Sequence, residues 1–183
     1  MKNFILKVLS NRDSFQYETV SYKGTLKIQQ AVLSSLKLNN INQLRDLYEG
    51  VAFIDKFSLK ILSILALETF LKLELIDWSI VNPKTYSPSI FISDKRINVI
   101  MSEYGEFPVI DKMNDDPAII TIKKGTKDVW ICGFADVTTL NSHQNDDFLK
   151  GSMTKNIDSK TTFIGFEHLK SFKNIVELER LLK

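Results

Sequence analysis

The chain is poor in the residues on which small-domain chemistry most often rests. One cysteine, Cys132, stands among 183 residues, so no internal disulfide can form, and a reducing, cytoplasmic setting is the expectation. It falls in Val129-Trp130-Ile131-Cys132, a buried-strand pattern rather than the surroundings of a nucleophile. Two histidines are too few for a His-based centre. His143 lies in a polar run and His168 beside Glu167, both settings of solvated side chains. The seven glycines are all isolated, which excludes a Gly-rich phosphate loop. The four prolines stand at Pro83, Pro88, Pro108 and Pro117, too dispersed for a linker. Only Arg12, Arg45, Arg96 and Arg180 are arginines, which argues against a base-reading surface built on guanidinium groups.

Charge of one sign and long apolar runs are missing too. Twenty-four basic against 22 acidic residues leave +2, excluding a polycationic tail and an acidic disordered one. The most apolar stretch, 59–76, is broken by Lys60, Glu68, Lys72 and Glu74 and falls short of the ~20 apolar residues a membrane span needs. The start, Met1 to Lys7, is a poor signal peptide because a lysine interrupts its apolar part. What remains is 44% hydrophobic and 25% charged, the profile of one globular domain with a real core and no membrane partner.

The patterning is that of an α/β (α+β) chain. Phe4–Leu9 and Tyr17–Tyr22 read as strands, and Gly24 as punctuation before a helix to about Leu38. Asn42 is the expected cap of a short helix through Leu44, Leu47 and Tyr48, closed by Gly50. Ser58 caps a long buried helix, Leu59–Trp78, stopped by Asn82-Pro83. Strands follow at Ser89–Ile92 and Ile97–Met101, with Ser93–Arg96 as their turn, and then at Ala118–Ile122, Val129–Phe134 and Thr161–Phe166. A closing amphipathic helix spans Ile175–Leu182. The expectation is one compact unit: a small α/β extension, 1–50, on a core, 51–183, with a central mixed sheet flanked by helices.

The core carries a recognisable skeleton. Glu68 sits in the long helix, Pro88-Ser89 opens the hairpin's first strand, and nine residues later Asn98-Val99-Ile100 occupies the second. Downstream come Tyr104-Gly105-Glu106-Phe107-Pro108 and Thr162–Leu169. This arrangement resembles the PD-(D/E)XK nuclease superfamily, the restriction-endonuclease-like fold. There a helical acid, Pro-Asp and Glu-X-Lys hold Mg²⁺ and activate water, because a hard cation best neutralises charge developing on phosphodiester oxygens. Here Ser89 stands for the Asp, Asn98 for the Glu and Ile100 for the Lys. The resemblance therefore implies a restriction-endonuclease-like core with a vestigial site of Glu68, Ser89, Asn98 and Ile100, needing no cofactor. It further implies a domain that acts by binding nucleic acid or a partner protein, in the phage, mobile-element or defence settings where such folds occur.

Two alternatives stand beside it. An active Mg²⁺-dependent endonuclease would relocate its ligands to Glu68 with Asp94, Glu103 or Glu106, with Asp111, Asp115 and Asp116 close by and Lys112 replacing the missing lysine. A protein–protein inhibitor module would touch neither metal nor nucleic acid. For nucleic acid, the candidate contacts are Lys95, Arg96, Lys112, Lys123, Lys124 and Lys127, which form one positive rim if the hairpin and the Gly125 turn share an edge. The role of 1–50, including dimerisation, stays open.

Overall fold

The computed structural model describes residues 2–47, 49–149 and 157–183, with Ile157 described in backbone only. The expected helical placement of Tyr48 lies outside them. The start is helical rather than extended: α1 spans Lys2–Lys7 and is followed by a 3₁₀ turn, Leu9–Ser14. Phe4 and Val8, four apart, are buried, whereas Ile5 and Leu6 are exposed. That one-sided spacing belongs to a helix and cannot alternate across a strand.

β1 is short, Gln16–Thr19, because Ser21 caps α2, Tyr22–Leu36, by accepting the N–H of Gly24 at 3.2 Å. Gly24 therefore lies inside the helix. A side chain there would meet Val20 Cγ1 at 3.0 Å, so the glycine permits close packing rather than a turn. Ile28 and Val32 continue its buried face. Asn40, not Asn42, caps α3, Ile41–Asp46, through the N–H of Gln43.

Gly50 begins α4 rather than closing its predecessor. α4 spans Gly50–Leu71, so Ser58 is interior, and Lys72 stops it in the left-handed region at φ 56°. Every residue from Ile61 to Leu67 is buried, as expected for a helix covered on all sides. No helix among the described residues is long and apolar enough to cross a membrane.

Five strands form the main mixed sheet in the order β1-β6-β5-β3-β2, with β2 at Ser89–Ile92, β3 at Lys95–Glu103, β5 at Ala118–Lys123 and β6 at Asp128–Ala135. The β2–β3 turn is only Ser93-Asp94, both with positive φ (49° and 63°), the mirror-image turn whose twist suits a hairpin. β3 and β5 run parallel. Their connection carries no helix but a further strand, β4 (Val109–Asp111), which joins β8 (Lys160–Phe163) and β7 (Gln144–Asn145) in a second sheet. α5, Val137–Ser142, and α6, Ile175–Leu181, complete the order.

The sheet divides the core. Ile64, Leu67 and Leu71 of α4 pack with Ile90, Ile92, Ile97, Val99 and Ile119 on one face. Phe4, Val8, Phe107, Ile120, Ile122 and Phe163 fill the other. Ile131 and Phe134, three apart in β6, both belong to the α4 face, because a register shift sits opposite Ile120/Thr121. That bulge is where Gly133 takes φ +143°. The first fifty residues are not an appendage: β1 pairs with β6 in the sheet, while α2 and α3 pack against α4.

Candidate functional site

β3 is longer than its hairpin partner, and the site follows from that mismatch. β2 pairs with β3 only from Lys95 to Asn98, with Ser89 directly opposite Asn98. Pro88 still accepts the N–H of Val99 at 2.9 Å but has no N–H to return. Beyond it the edge of β3 has no strand partner among the described residues. The N–H groups of Asn98 and Tyr104 bond towards β5, to the carbonyls of Pro117 and Lys123. Met101, in step with Val99, therefore turns its backbone groups to the free edge, as does the N–H of Glu103, whose carbonyl accepts the N–H of Glu106 at 3.0 Å.

A cleft of about 540 Å³ opens along this edge. Asn98 and Ile100 form its floor, Leu59 and Lys60 of α4 one wall, and β4 with the loop Met113–Asp116 the other. The hairpin and strand spacing thus bring Ser89, Asn98 and Ile100 to one place. Asn98 is half-buried, and its side-chain amide has no partner among the described residues.

Glu68 does not join them. It lines a different cleft with Lys23, Lys27 and Gly24, on the helix side of the sheet. Its Oε1 accepts the N–H groups of Leu75 and Ile76 at 2.8 and 2.9 Å. The relocated set does not converge either. Asp94 stands in the hairpin turn, Glu103 pairs with Lys123 at 3.4 Å at the opposite end of β3, and Glu106 lies beyond that end.

The carboxylates that do reach the cleft are Asp111, Asp115 and Asp116. Two are already engaged: Asp111 with Lys160 at 2.6 Å and Asp116 with Arg96 at 3.4 Å. No group of three metal-ligating side chains converges among the described residues. Mg²⁺ takes carboxylate oxygens as ligands, and of these three Asp115 alone has no cation partner among the described residues.

The six candidate nucleic-acid contacts divide rather than forming a rim. Lys95 and Arg96 open β3, whereas Lys123, in register with Glu103, marks its far end, about 26 Å away at ~3.3 Å per residue. Lys124 and Lys127 belong to that far turn. Each of the six is also occupied. Lys95 Nζ donates to the Leu182 carbonyl and Lys112 pairs with Asp146 at 3.0 Å. Lys124 and Lys127 lie over the rings of Trp130 and Tyr22 at 5.0 and 5.4 Å.

Sequence reasoning missed one cation of the cleft wall, Lys60. Lys60 Nζ donates to the Tyr86 carbonyl at 2.9 Å and has no acidic partner among the described residues. Burial first, and then the neighbouring Lys56 charge, lower its pKa. Tyr86 itself is pushed up to about 12 by burial and by the Glu68 charge. Twenty-six residues separate Lys60 from Tyr86, and no motif announced the contact. The histidines were missed as a pair: His143 and His168 stack with ring centroids 4.0 Å apart, over Gly165, where a Cβ would lie 2.5 Å from that of His143. Cys132 is buried as expected, which pushes its thiol up.

No family model, curated protein or solved structure matches the chain.

Proposed function

We propose that the chain is a nuclease-like domain that binds without hydrolysing, and that its cleft beside β3 receives an extended protein segment. One observation carries the reading: Ser89 faces Asn98 across the hairpin, and Asn98 and Ile100 share one cleft. In the PD-(D/E)XK scaffold these are the places of acid, acid and lysine. Neutral Ser and Asn are weak Mg²⁺ ligands, and Ile can neither donate a proton nor orient water.

A protein occupant is favoured over a polynucleotide because the basic side chains near the cleft are mostly neutralised. Arg96 and Lys160 each hold an aspartate, so few are free to release counterions from phosphates. The free edge of β3 instead offers alternate N–H and C=O groups, the requirement for strand addition. Lys60, desolvated and beside Lys56, favours a carboxylate on the incoming strand. The unpaired Cys132 suits a reducing, cytoplasmic setting.

The test has two arms. Plasmid incubated with Mg²⁺ or Mn²⁺ is expected to stay supercoiled; metal-dependent nicking lost in Asp111→Asn overturns the non-hydrolytic reading. An extended peptide of alternating Val and Glu, followed by amide NMR, is expected to shift Met101 and Glu103 in the native chain and not in Lys60→Glu. Retardation of duplex DNA that weakens steeply with salt and is lost in the same variant would replace the protein partner by nucleic acid.

A further inference from the structure

A second cleft, of about 690 Å³, lies between α2 and the segment Trp78–Lys84, on the helical side of the molecule. α2 contributes a stripe at i, i+4 and i+7, Lys27, Ala31 and Ser34, which share one helix face. Its small residues leave open the space opposite Trp78 and Asn82. Lys27 Nζ lies over the Trp78 ring, 5.6 Å from its centroid.

The electrostatics differ from those of the β3 cleft. Two lysines, Lys27 and Lys84, line this one, and no carboxylate does. Neither ammonium has an acidic partner among the described residues. Two acids beside it, Asp77 next to Trp78 in the chain and Glu68 in the adjoining cleft, are committed elsewhere. Asp77 accepts the N–H and hydroxyl of Ser79 at 2.9 and 2.6 Å, and Glu68, in the adjoining cleft, is held by Leu75 and Ile76.

We propose that this cleft binds a nucleotide, the base on the Trp78 indole and the phosphate between Lys27 and Lys84. An indole face accepts any base by stacking. Lys27, now resting on the ring through a cation–π contact, has a stronger partner in a phosphate oxygen and moves to it as the base arrives. Gln30, Ser34 and Asn82 supply hydrogen-bonding groups around the sugar and base edge. The ligand is a free nucleotide or one residue of a single strand, since both present the same ring and phosphate. The proposal is independent of the β3 cleft, which lies across α4 and shares no lining residue with it.

Indole emission of the full chain is followed during titration with AMP, with octauridylate, with inorganic phosphate and with adenosine at low salt. Saturable quenching by AMP or by the oligonucleotide is expected, with phosphate and adenosine at least tenfold weaker because each supplies half the contacts. AMP binding assigns a free nucleotide; binding of the oligonucleotide alone assigns a strand. Lys27→Gln with Lys84→Gln should weaken binding at least tenfold. Ser34→Leu, a change on an exposed helix face, should block it while leaving Tm unchanged. Absence of quenching by either nucleotide ligand overturns the proposal, as does unchanged affinity in both variants. Nicking activity or peptide binding at β3 would leave these results untouched.

Discussion

One carboxylate oxygen of Glu68 accepts the backbone N–H of Leu75 at 2.8 Å, and the same oxygen takes the next N–H, of Ile76, at 2.9 Å. α4 has already stopped at Lys72, so these bonds hold the chain where it turns back over the helix. Charge-assisted bonds of this kind contribute about 1.5–3 kcal/mol. Glu68→Ala should therefore lower the free energy of urea unfolding by about 1–3 kcal/mol, and Glu68→Gln, which keeps an acceptor oxygen, by less. The losses should be the same with and without Mn²⁺. A loss that appears only with Mn²⁺ would make Glu68 a metal ligand.

Asp136 caps α5 through the N–H of Thr139 at 2.8 Å and pairs with Lys170 Nζ at 2.7 Å. The Lys170 hydrogen bond first, and then the Thr139 backbone, pull its carboxyl down to about 2, against about 3.9 in an unfolded chain. A folded value below the unfolded one stabilises above the unfolded pKa, and the contribution is lost as pH falls through the folded one. With the side chain 37% exposed, solvent screening reduces the contribution to about 1 kcal/mol. Stability of the native chain should fall between about pH 4 and pH 2 more steeply than that of Asp136→Asn, as read by urea titrations at fixed pH steps.

How far the sequence spoke depended on how local each signal was. The β2–β3 hairpin and the β5 and β6 strands were legible because short apolar runs and the turn residues that bound them sit within a few positions of each other. The start of the chain was not: Phe4-Ile5-Leu6 has strand composition, and only its tertiary partners make Phe4 and Val8 a helical face. The ends of α4 were misplaced for a related reason. Its stop is Lys72 in a left-handed conformation, which carries none of the usual glycine or proline punctuation. At the site, Ser89, Asn98 and Ile100 could be matched by spacing along one hairpin. Lys60, the separation of Glu68 from the cleft, and the stacked histidines depend on contacts between distant segments.

Gly133 marks where the bulge in β6 meets a neighbouring segment. Phe134 and Lys170 exchange both backbone bonds at 2.9 Å beside it. A Cβ at Gly133 would lie 3.0 Å from Leu169 Cβ and 3.0 Å from the Lys170 carbonyl oxygen, at φ +143°. Strain and clash add, so Gly133→Ala should cost about 2–4 kcal/mol. The amide protons of Phe134 and Lys170 should lose protection in hydrogen exchange. Retained protection there would mean the bridge does not depend on the glycine.

Ser89 and Asn98 share a face as directly opposed residues of an antiparallel pair, which places their Cβ atoms about 4.5–5.5 Å apart. Carboxylates installed at both positions repel each other, and a divalent cation between them relieves that repulsion. Ser89→Asp with Asn98→Glu should therefore be less stable than the native chain without metal and recover with Mn²⁺. Stabilisation by a ligand grows as its concentration exceeds Kd, by about 2.7 kcal/mol at a hundredfold excess. Tm should rise most with Mn²⁺ in the double variant, because neither single variant provides two carboxylates to share the cation. An unchanged Tm in millimolar Mn²⁺ would separate these two positions from the acidic pair of a nuclease scaffold. A rise would place the missing charges where that scaffold carries them, and would support the proposal that the native Ser89 and Asn98 leave this hairpin without a hydrolytic metal.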